Sequence, residues 1–391
     1  MQNMTHQFFA PCPRGLEAAL AHELGELGAG AIGTGPGGVG FAGDLALCYR
    51  ANLESRIASR VLWRVAQGRY RSEEDVYKAV YALPWSDWFD VERTIMVKVS
   101  AQKCPLQSLD FITLRIKDAV CDKFRALTNA RPSVDTQEPD LRIHAFLDAE
   151  HFTLYLDTSG PALFQRGLRK ESGVAPLREN LAAGILHLAG WQPGIPLLDP
   201  MCGSGTFLLE AAQMALNIAP GSGRSFAFEK LKNFDADVWH KLREEAKARE
   251  LPRTPQPIFG SDLFGESLDA ARANLAAAGL AEVVSLKQCN VLEASAPAPS
   301  GILVTNPPYG VRLGEQHQLA EFYPKLGDVL KQKFRGWNAY IFTADLRLAK
   351  LIRLAVSRRT PLFNGPLECR LFEVKVVEGG MRREKKDGDV E

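Results

Sequence analysis

From about residue 173 onward, short apolar runs alternate with amphipathic helical segments, and this regular beat restricts the fold more than any other feature of the chain. PLREN…ILHLAG reads as a helix, IPLLD as a buried strand and GSGTFLLEAAQMALNIA as the next helix. PIFGSD, VVSLKQCN, GILVTN and NAYIFTAD supply further strands, with helices expected over SLDAARANLAAAG and roughly residues 316 to 335. Repeated strand–helix units of this length bury both faces of their strands in a doubly wound parallel α/β sheet. In LFNGPLECRLFEVKVV an Asn-Gly pair precedes clean alternation, so an antiparallel hairpin should follow at the end of the series.

The first 165 residues have another grammar. GLEAALAHELGELGA is helical by spacing, TIMVKVSA is a strand, and IHAFLDAEHFTLYLD is a pair of strands joined as a hairpin. FITLRIKDAVCDKFRAL places Ile112, Ile116, Ala119, Val120 and Phe124 on one helical face. These elements predict an α+β region ahead of the α/β domain. The expected division is 1–165, 166–378, and a charged, disordered tail at 379–391. Residues 218–256, glycine- and aromatic-rich and then helical, read as an insertion in the second domain.

Lysines and arginines number 47 against 46 acids, so contact with nucleic acid has to come from local patches. The seven cysteines form no CxxC pair and no metal-ligand spacing, which predicts reduced thiols and no metal site. No run of about eighteen apolar residues appears, and the N-terminus lacks a signal-peptide pattern. The expectation is a soluble cytoplasmic protein with no membrane contact; no feature specifies an oligomeric state.

Two short stretches hold the chemistry. In LLDPMCGSGTFLLEAA a strand ends at Asp199 and a small-residue loop (Pro200, Cys202, Gly203, Ser204, Gly205, Thr206) leads into a helix. Such a loop brings backbone N–H groups close to a ligand, because glycine has no Cβ in the way. The dinucleotide fingerprint fails here, since the run reads Gly203, Gly205, Leu208, and no Gly-Lys-Ser/Thr of a P-loop follows. The next strand ends in Asp262, followed by Leu263; an acid at that tip can accept from both hydroxyls of a ribose. The second stretch is VTNPPYGVRL, with Asn306, Pro307, Pro308 and Tyr309 after an apolar strand and no strong acid, base or nucleophile among them.

DPMCGSGT, then SD, then NPPYG resembles the class I S-adenosylmethionine-dependent amino-methyltransferases. The resemblance implies that Asp199, the loop after it and Asn306 bind the cofactor, the loop cradling its methionine part, and that Asp262 holds its ribose. It places Asn290, in KQCN, where the family usually has an acid contacting the adenine amine. It also implies that Asn306 and its neighbours hold the target amine. An exocyclic purine amine is a poor nucleophile, because its lone pair is delocalised into the ring. Two acceptors, Asn306 Oδ1 and the Pro307 carbonyl, would favour a pyramidal nitrogen, while Pro308 stiffens the loop and Tyr309 stacks on a flipped base. Positioning and fixed dipoles then supply most of the rate, and no general base is needed.

The motif alone leaves adenine N6, guanine N2 and a glutamine amide open. RPSVDTQEPDLRIHAFL and YLDTSGPALFQRGLR resemble a THUMP RNA-binding domain, and PCPRGLEAALAHELGELGA with GVGFAGD resembles the ferredoxin-like segment that accompanies it. GVAPLRENLAAGILHLAGWQPGIPLLDPMCGSGTFLLEAA is similar to the guanine-N2 half of the bacterial 23S rRNA guanine-N2/N7 methyltransferases. The likeness implies an RNA substrate, 23S rRNA or its precursor, and guanine N2 as the acceptor. With one such domain in 391 residues, the N7 activity is not expected. A tRNA guanine-N2 enzyme or an adenine-N6 enzyme are the alternatives. Arg56, Arg60 and Arg64 recur every four residues and are expected to form one helical stripe tracking phosphates, with Arg131 as a further RNA contact.

Overall fold

The computed structural model describes residues 5–167, 177–307 and 313–376. The chain forms two compact units, one of Met1–Gly167 with Ile218–Glu250, the other of Leu168–Asn217 with Leu251–Glu391. Most of the segment expected as an insertion in the second domain thus packs with the first unit. The tail at 379–391 lies outside the described residues.

Among the described residues of the first unit, seven strands make one sheet: β1 (His6–Pro11), β2 (Gly30–Gly35), β3 (Gly38–Gly43), β4 (Leu62–Arg69), β5 (Ile95–Ala101), β6 (Leu141–Leu147) and β7 (His151–Asp157). Their order is β2-β3-β1-β4-β7-β6-β5, antiparallel except for the β5–β6 pair. β4 pairs with β1 at its start and with β7 along its length, so one sheet runs through the whole α+β region. Helix Leu109–Thr128 buries Ile112, Ile116, Ala119, Val120 and Phe124, the face its spacing predicts. Ser108 caps its start, and Asn129 ends it in the left-handed conformation at φ 61°.

Aromatic packing draws the 218–250 segment onto this unit. Tyr49, on helix Leu45–Glu54, stacks on Phe228 with ring centroids 4.4 Å apart, and Trp239 meets Phe228 edge-on at 5.1 Å. Backbone bonds from Gly221 N–H to Leu53 O (2.9 Å) and from Phe228 N–H to Thr158 O (3.0 Å) fix the segment at two more places. The Arg224 guanidinium donates to the carbonyls of Ala162 (2.8 Å) and Pro161 (2.5 Å).

The arginine stripe requires correction. The helix stops at Glu54, and Ser55 is already extended (φ −67°, ψ 127°). The cause lies far away in sequence: half-buried Glu23 accepts the N–H groups of Arg56 (2.7 Å) and Ile57 (3.3 Å), and the Ser55 hydroxyl (2.6 Å). Those donors cannot also continue a helix. Arg56 reaches the Ile218 carbonyl (2.6 Å), and Arg60 pairs with buried Asp157 and the Gly160 carbonyl. Of the four arginines expected to meet RNA, Arg64, on β4, and Arg131 are exposed.

The second unit has the expected doubly wound sheet. Its strands are β8 (Leu197–Asp199), β9 (Ile258–Asp262), β10 (Ser285–Gln288), β11 (Gly301–Thr305), β12 (Trp337–Thr343), β13 (Val356–Asn364) and β14 (Leu367–Lys375), in the order β10-β9-β8-β11-β12-β14-β13. The first five are parallel; β14 is antiparallel to β12 and forms a hairpin with β13, turning after Asn364 as the Asn-Gly pair predicts. Leu303, Leu326, Trp337, Ile341 and Phe372 belong to one buried core, which fixes the height of β11 and β12 in the sheet.

Candidate active site

The strand order reverses at β8, which has β9 on one side and β11 on the other. In an open α/β sheet the crevice outside the carboxyl ends at such a reversal is the natural ligand site. Register brings the motifs to that edge: Asp199 pairs with Gly260 of β9, and Leu303 of β11 pairs with Leu198. Asp199, Asp262 and Asn306 therefore stand at the ends of three neighbouring strands.

The loop after β8 is built from its own backbone donors. Cys202 N–H bonds to Ser261 O (2.9 Å), Gly203 N–H to Asp262 Oδ2 (2.9 Å), and Gly205 N–H to Cys202 O (2.8 Å). The Pro200 carbonyl accepts from the Ser261 hydroxyl (3.4 Å), and the Ser204 carbonyl from Asn274 Nδ2 (3.1 Å). Gly205 caps helix Thr206–Ala215 with φ +82°, and a Cβ on it would lie 3.3 Å from Ala271 Cβ. At Gly203 (φ +52°) nothing lies within 4 Å of the Cβ position, so the loop has open space beside it. Thr206 begins the helix and is buried.

The two acids differ. Asp262 accepts Gly203 N–H on one oxygen and Phe264 N–H (3.0 Å) on the other. It shapes the loop first, and each oxygen keeps a lone pair for a ligand hydroxyl. Asp199 is buried and accepts Met201 N–H (3.2 Å). Burial, reinforced by the nearby charge of Asp262, pushes its carboxyl up to about 8. At neutral pH Asp199 is thus a largely neutral group, which sequence reading missed. Burial and the same two carboxylates also push the Cys202 thiol up, so it is no nucleophile.

Asn290 lies beyond the end of β10, and its Oδ1 accepts Leu292 N–H (3.0 Å), making it first a turn residue. Leu263 is 52% exposed and its neighbour Phe264 66%, an apolar tip just beyond β9. Asn306 follows the last residue of β11; its Oδ1 is buried without a hydrogen-bond partner, and Pro307 is buried beside it. A buried orphan acceptor costs about 1–3 kcal/mol, a cost that an incoming N–H donor would remove. Pro308 and Tyr309 lie outside the described residues.

A reversed α/β sheet with an acid–glycine loop at its switch point and an amide at the next strand end defines a class I S-adenosylmethionine-dependent methyltransferase. Residues 166–373 match the RMKL-like methyltransferase domain, 70–157 a THUMP domain, and 7–62 an RlmL ferredoxin-like domain. The chain belongs to the RMKL-like methyltransferase family. It is 41% identical over 373 residues to slr0064 of Synechocystis sp., provisionally assigned as an RNA methyltransferase, covering 95% of this chain and 97% of that one. It is also 41% identical over 367 residues to the ribosomal RNA large subunit methyltransferase K/L of a Shewanella strain, covering 93% of this chain and 52% of that protein. The chain therefore spans about half the length of the K/L relatives it matches. The solved structure of SMU.472, a provisionally assigned methyltransferase crystallised with S-adenosylhomocysteine, superposes with a TM-score of 0.88 at 30% identity, covering 97% of this chain and all of that one.

S-adenosylmethionine is the methyl donor, and the site fits it: open space at Gly203, spare lone pairs on Asp262, and an unmatched acceptor at Asn306. Among the described residues no group of three or more His, Cys, Asp or Glu could hold a metal ion, and no helix is long and apolar enough to cross a membrane.

Proposed function

We propose that this chain methylates the exocyclic N2 amine of a guanine in large-subunit ribosomal RNA. The observation that carries the reading is the buried, unpartnered Oδ1 of Asn306 at the carboxyl end of β11, one strand over from the cofactor loop. An acceptor with no protein donor, at the place where an amine would meet a methyl donor, is what amine orientation requires. Asn306 and the Pro307 carbonyl accept the two amine protons, and Tyr309 stacks on the extruded base. Gly203, Ser204 and Gly205, with Pro200, Cys202 and Thr206 shaping their loop, line the methionine side. Asp262 takes the ribose, and Leu263 with Asn290 borders the adenine. The bound cofactor supplies a methyl on a sulfonium, reactive enough that the protein need only place the acceptor. The THUMP match supports RNA as the substrate class, and the K/L relatives support ribosomal RNA within it.

The test is transfer of labelled methyl to separated 23S RNA, 16S RNA, tRNA and duplex DNA from cells lacking the protein. Label in 23S RNA is expected; label confined to tRNA or DNA would overturn the assignment.

A further inference from the structure

The strand order gives the carboxyl edge of the second sheet two sides. β8, β9 and β10 lead into the cofactor loop, Asp262 and Asn290, and β11 leads into Asn306. β12 is the next strand out, with its Ile341 beside Thr305 of β11. A base held at Asn306 by its amine therefore has the cofactor strands on one side and the end of β12 on the other.

That end carries a fixed cation. β12 stops at Thr343, whose hydroxyl accepts Asp345 N–H (3.0 Å). Asp345 is buried, and its two oxygens take the Arg347 guanidinium edge-on: Nε donates to Oδ1 (2.9 Å) and Nη2 to Oδ2 (2.8 Å). The backbone N–H of Arg347 adds a third bond to Oδ1 (3.0 Å). The bonded guanidinium holds the Asp345 carboxyl below the usual carboxylate range, so the pair is charged at neutral pH. The Arg347 side chain is nonetheless 47% exposed. Asp345 thus fixes in one orientation a guanidinium that solvent still reaches.

The local fold does not explain Arg347. It precedes the short helix Leu348–Leu351, and a guanidinium accepts no hydrogen bond with which to cap a helix. A cation at a helix N-terminus also opposes the dipole. Exposed apolar side chains accompany it at this edge. Leu346 precedes it directly, and Thr343 pairs with Arg370, so β14 starts beyond the end of β12 and brings exposed Leu367 to the same side. The acid next to Leu367, Glu368, is paired with Arg370 (2.6 Å).

We propose that Arg347 selects guanine: with the N2 amine at Asn306, its guanidinium donates to O6 and N7 on the far side of the same base, an assignment that rests on the guanine-N2 reading of the function. An arginine fork matches that pair of acceptors. Neighbouring strands stand about 4.8 Å apart, a span that a purine bridges. Adenine in the same pose turns its N6 donors toward the guanidinium and offers Asn306 no amine. Asp345 is a positioning residue that aims the fork, and Leu346 and Leu367 give the base an apolar flank. Asn306 orients an amine of any base, and Arg347 supplies the choice that the motif leaves open.

The test uses the full chain, labelled S-adenosylmethionine, and 23S RNA transcribed either with guanosine or with 7-deazaguanosine, which keeps O6 and the N2 amine but lacks the N7 acceptor. The rate of methyl transfer is read on both transcripts. The wild type should be slower on the deaza transcript by about tenfold, the loss of half a bidentate contact. Arg347→Ala should be slower than the wild type on the normal transcript by about tenfold or more, and should treat the two transcripts alike within about twofold. Because that change leaves buried Asp345 unpaired, the double variant Asp345→Asn with Arg347→Ala is run beside it. The double variant should melt like the wild type, bind S-adenosylmethionine unchanged and show the same loss of discrimination. A merely structural role for Arg347 would slow both transcripts equally and keep the tenfold ratio, and that result would overturn the proposal while leaving the guanine-N2 function intact. A wild type that ignores the deaza substitution would overturn it as well. If no label enters guanine in the normal transcript, the guanine-N2 reading falls, and the assignment of Arg347 falls with it.

Discussion

Replacing Asp199 by asparagine should flatten the pH dependence of the second unit's stability. The folded carboxyl sits at about 8 because burial and the charge of Asp262 disfavour ionisation. In the unfolded chain it returns to the ordinary carboxylate value, about 3.9. Between these values the unfolded chain has released the proton and the folded chain has kept it. Stability is therefore full below the unfolded value and is lost as pH rises toward 8. Each pH unit in that window costs about 1.4 kcal/mol, so raising the pH from 6 to 8 removes up to about 2.7 kcal/mol. For a unit of this size that is a fall of roughly 5–10 °C in Tm. The amide of the variant would keep the shape of the carboxyl and have nothing to titrate. The assay is thermal unfolding of wild type and Asp199→Asn without cofactor, at half-unit steps of pH, reading the difference between the two. A gap that changes by several degrees in favour of the variant supports the argument; parallel curves from pH 6 to 8 would mean that Asp199 is ionised throughout and the electrostatic description of the loop is wrong.

Three further outcomes follow from the site. Asn306→Ala should keep cofactor affinity within a few-fold while cutting turnover by about a hundredfold or more, read by calorimetry and steady-state kinetics; lost affinity with unchanged turnover would assign Asn306 to the cofactor. Gly205→Ala places a side chain at φ +82° and 3.3 Å from Ala271 Cβ, and should cost about 1–2 kcal/mol in denaturant unfolding and weaken cofactor binding. Cys202→Ser should remain active, and Cys202 should resist iodoacetamide in the folded protein; rapid alkylation with loss of activity would contradict its raised thiol value.

The α/β half was legible because its signals are local. β8 and β9 end in Asp199 and Asp262, Asn306 follows directly on β11, and the Asn-Gly turn announced the closing hairpin. Helix Leu109–Thr128 was equally plain, since its buried face repeats at helical spacing. The misreadings came where distant residues decide. Arg56, Arg60 and Arg64 have the period of a helix, yet Glu23, more than thirty residues earlier, takes the donors such a helix would need. The 218–250 segment interrupts the second unit in sequence, as an insertion does; that it packs on Tyr49 of the first unit is what no local signal encodes. The neutrality of Asp199 comes from burial beside another carboxylate, which no short motif encodes.

The most direct test of the whole account is nucleoside-resolved mass spectrometry of 23S RNA from cells lacking the protein, treated in vitro with this chain and S-adenosylmethionine. The account predicts a single new N2-methylguanosine, formed about a hundredfold more slowly when Asn306→Ala is used instead. A methyl on adenine N6 or guanine N7, or N2-methylguanosine formed equally well by the variant, would contradict it.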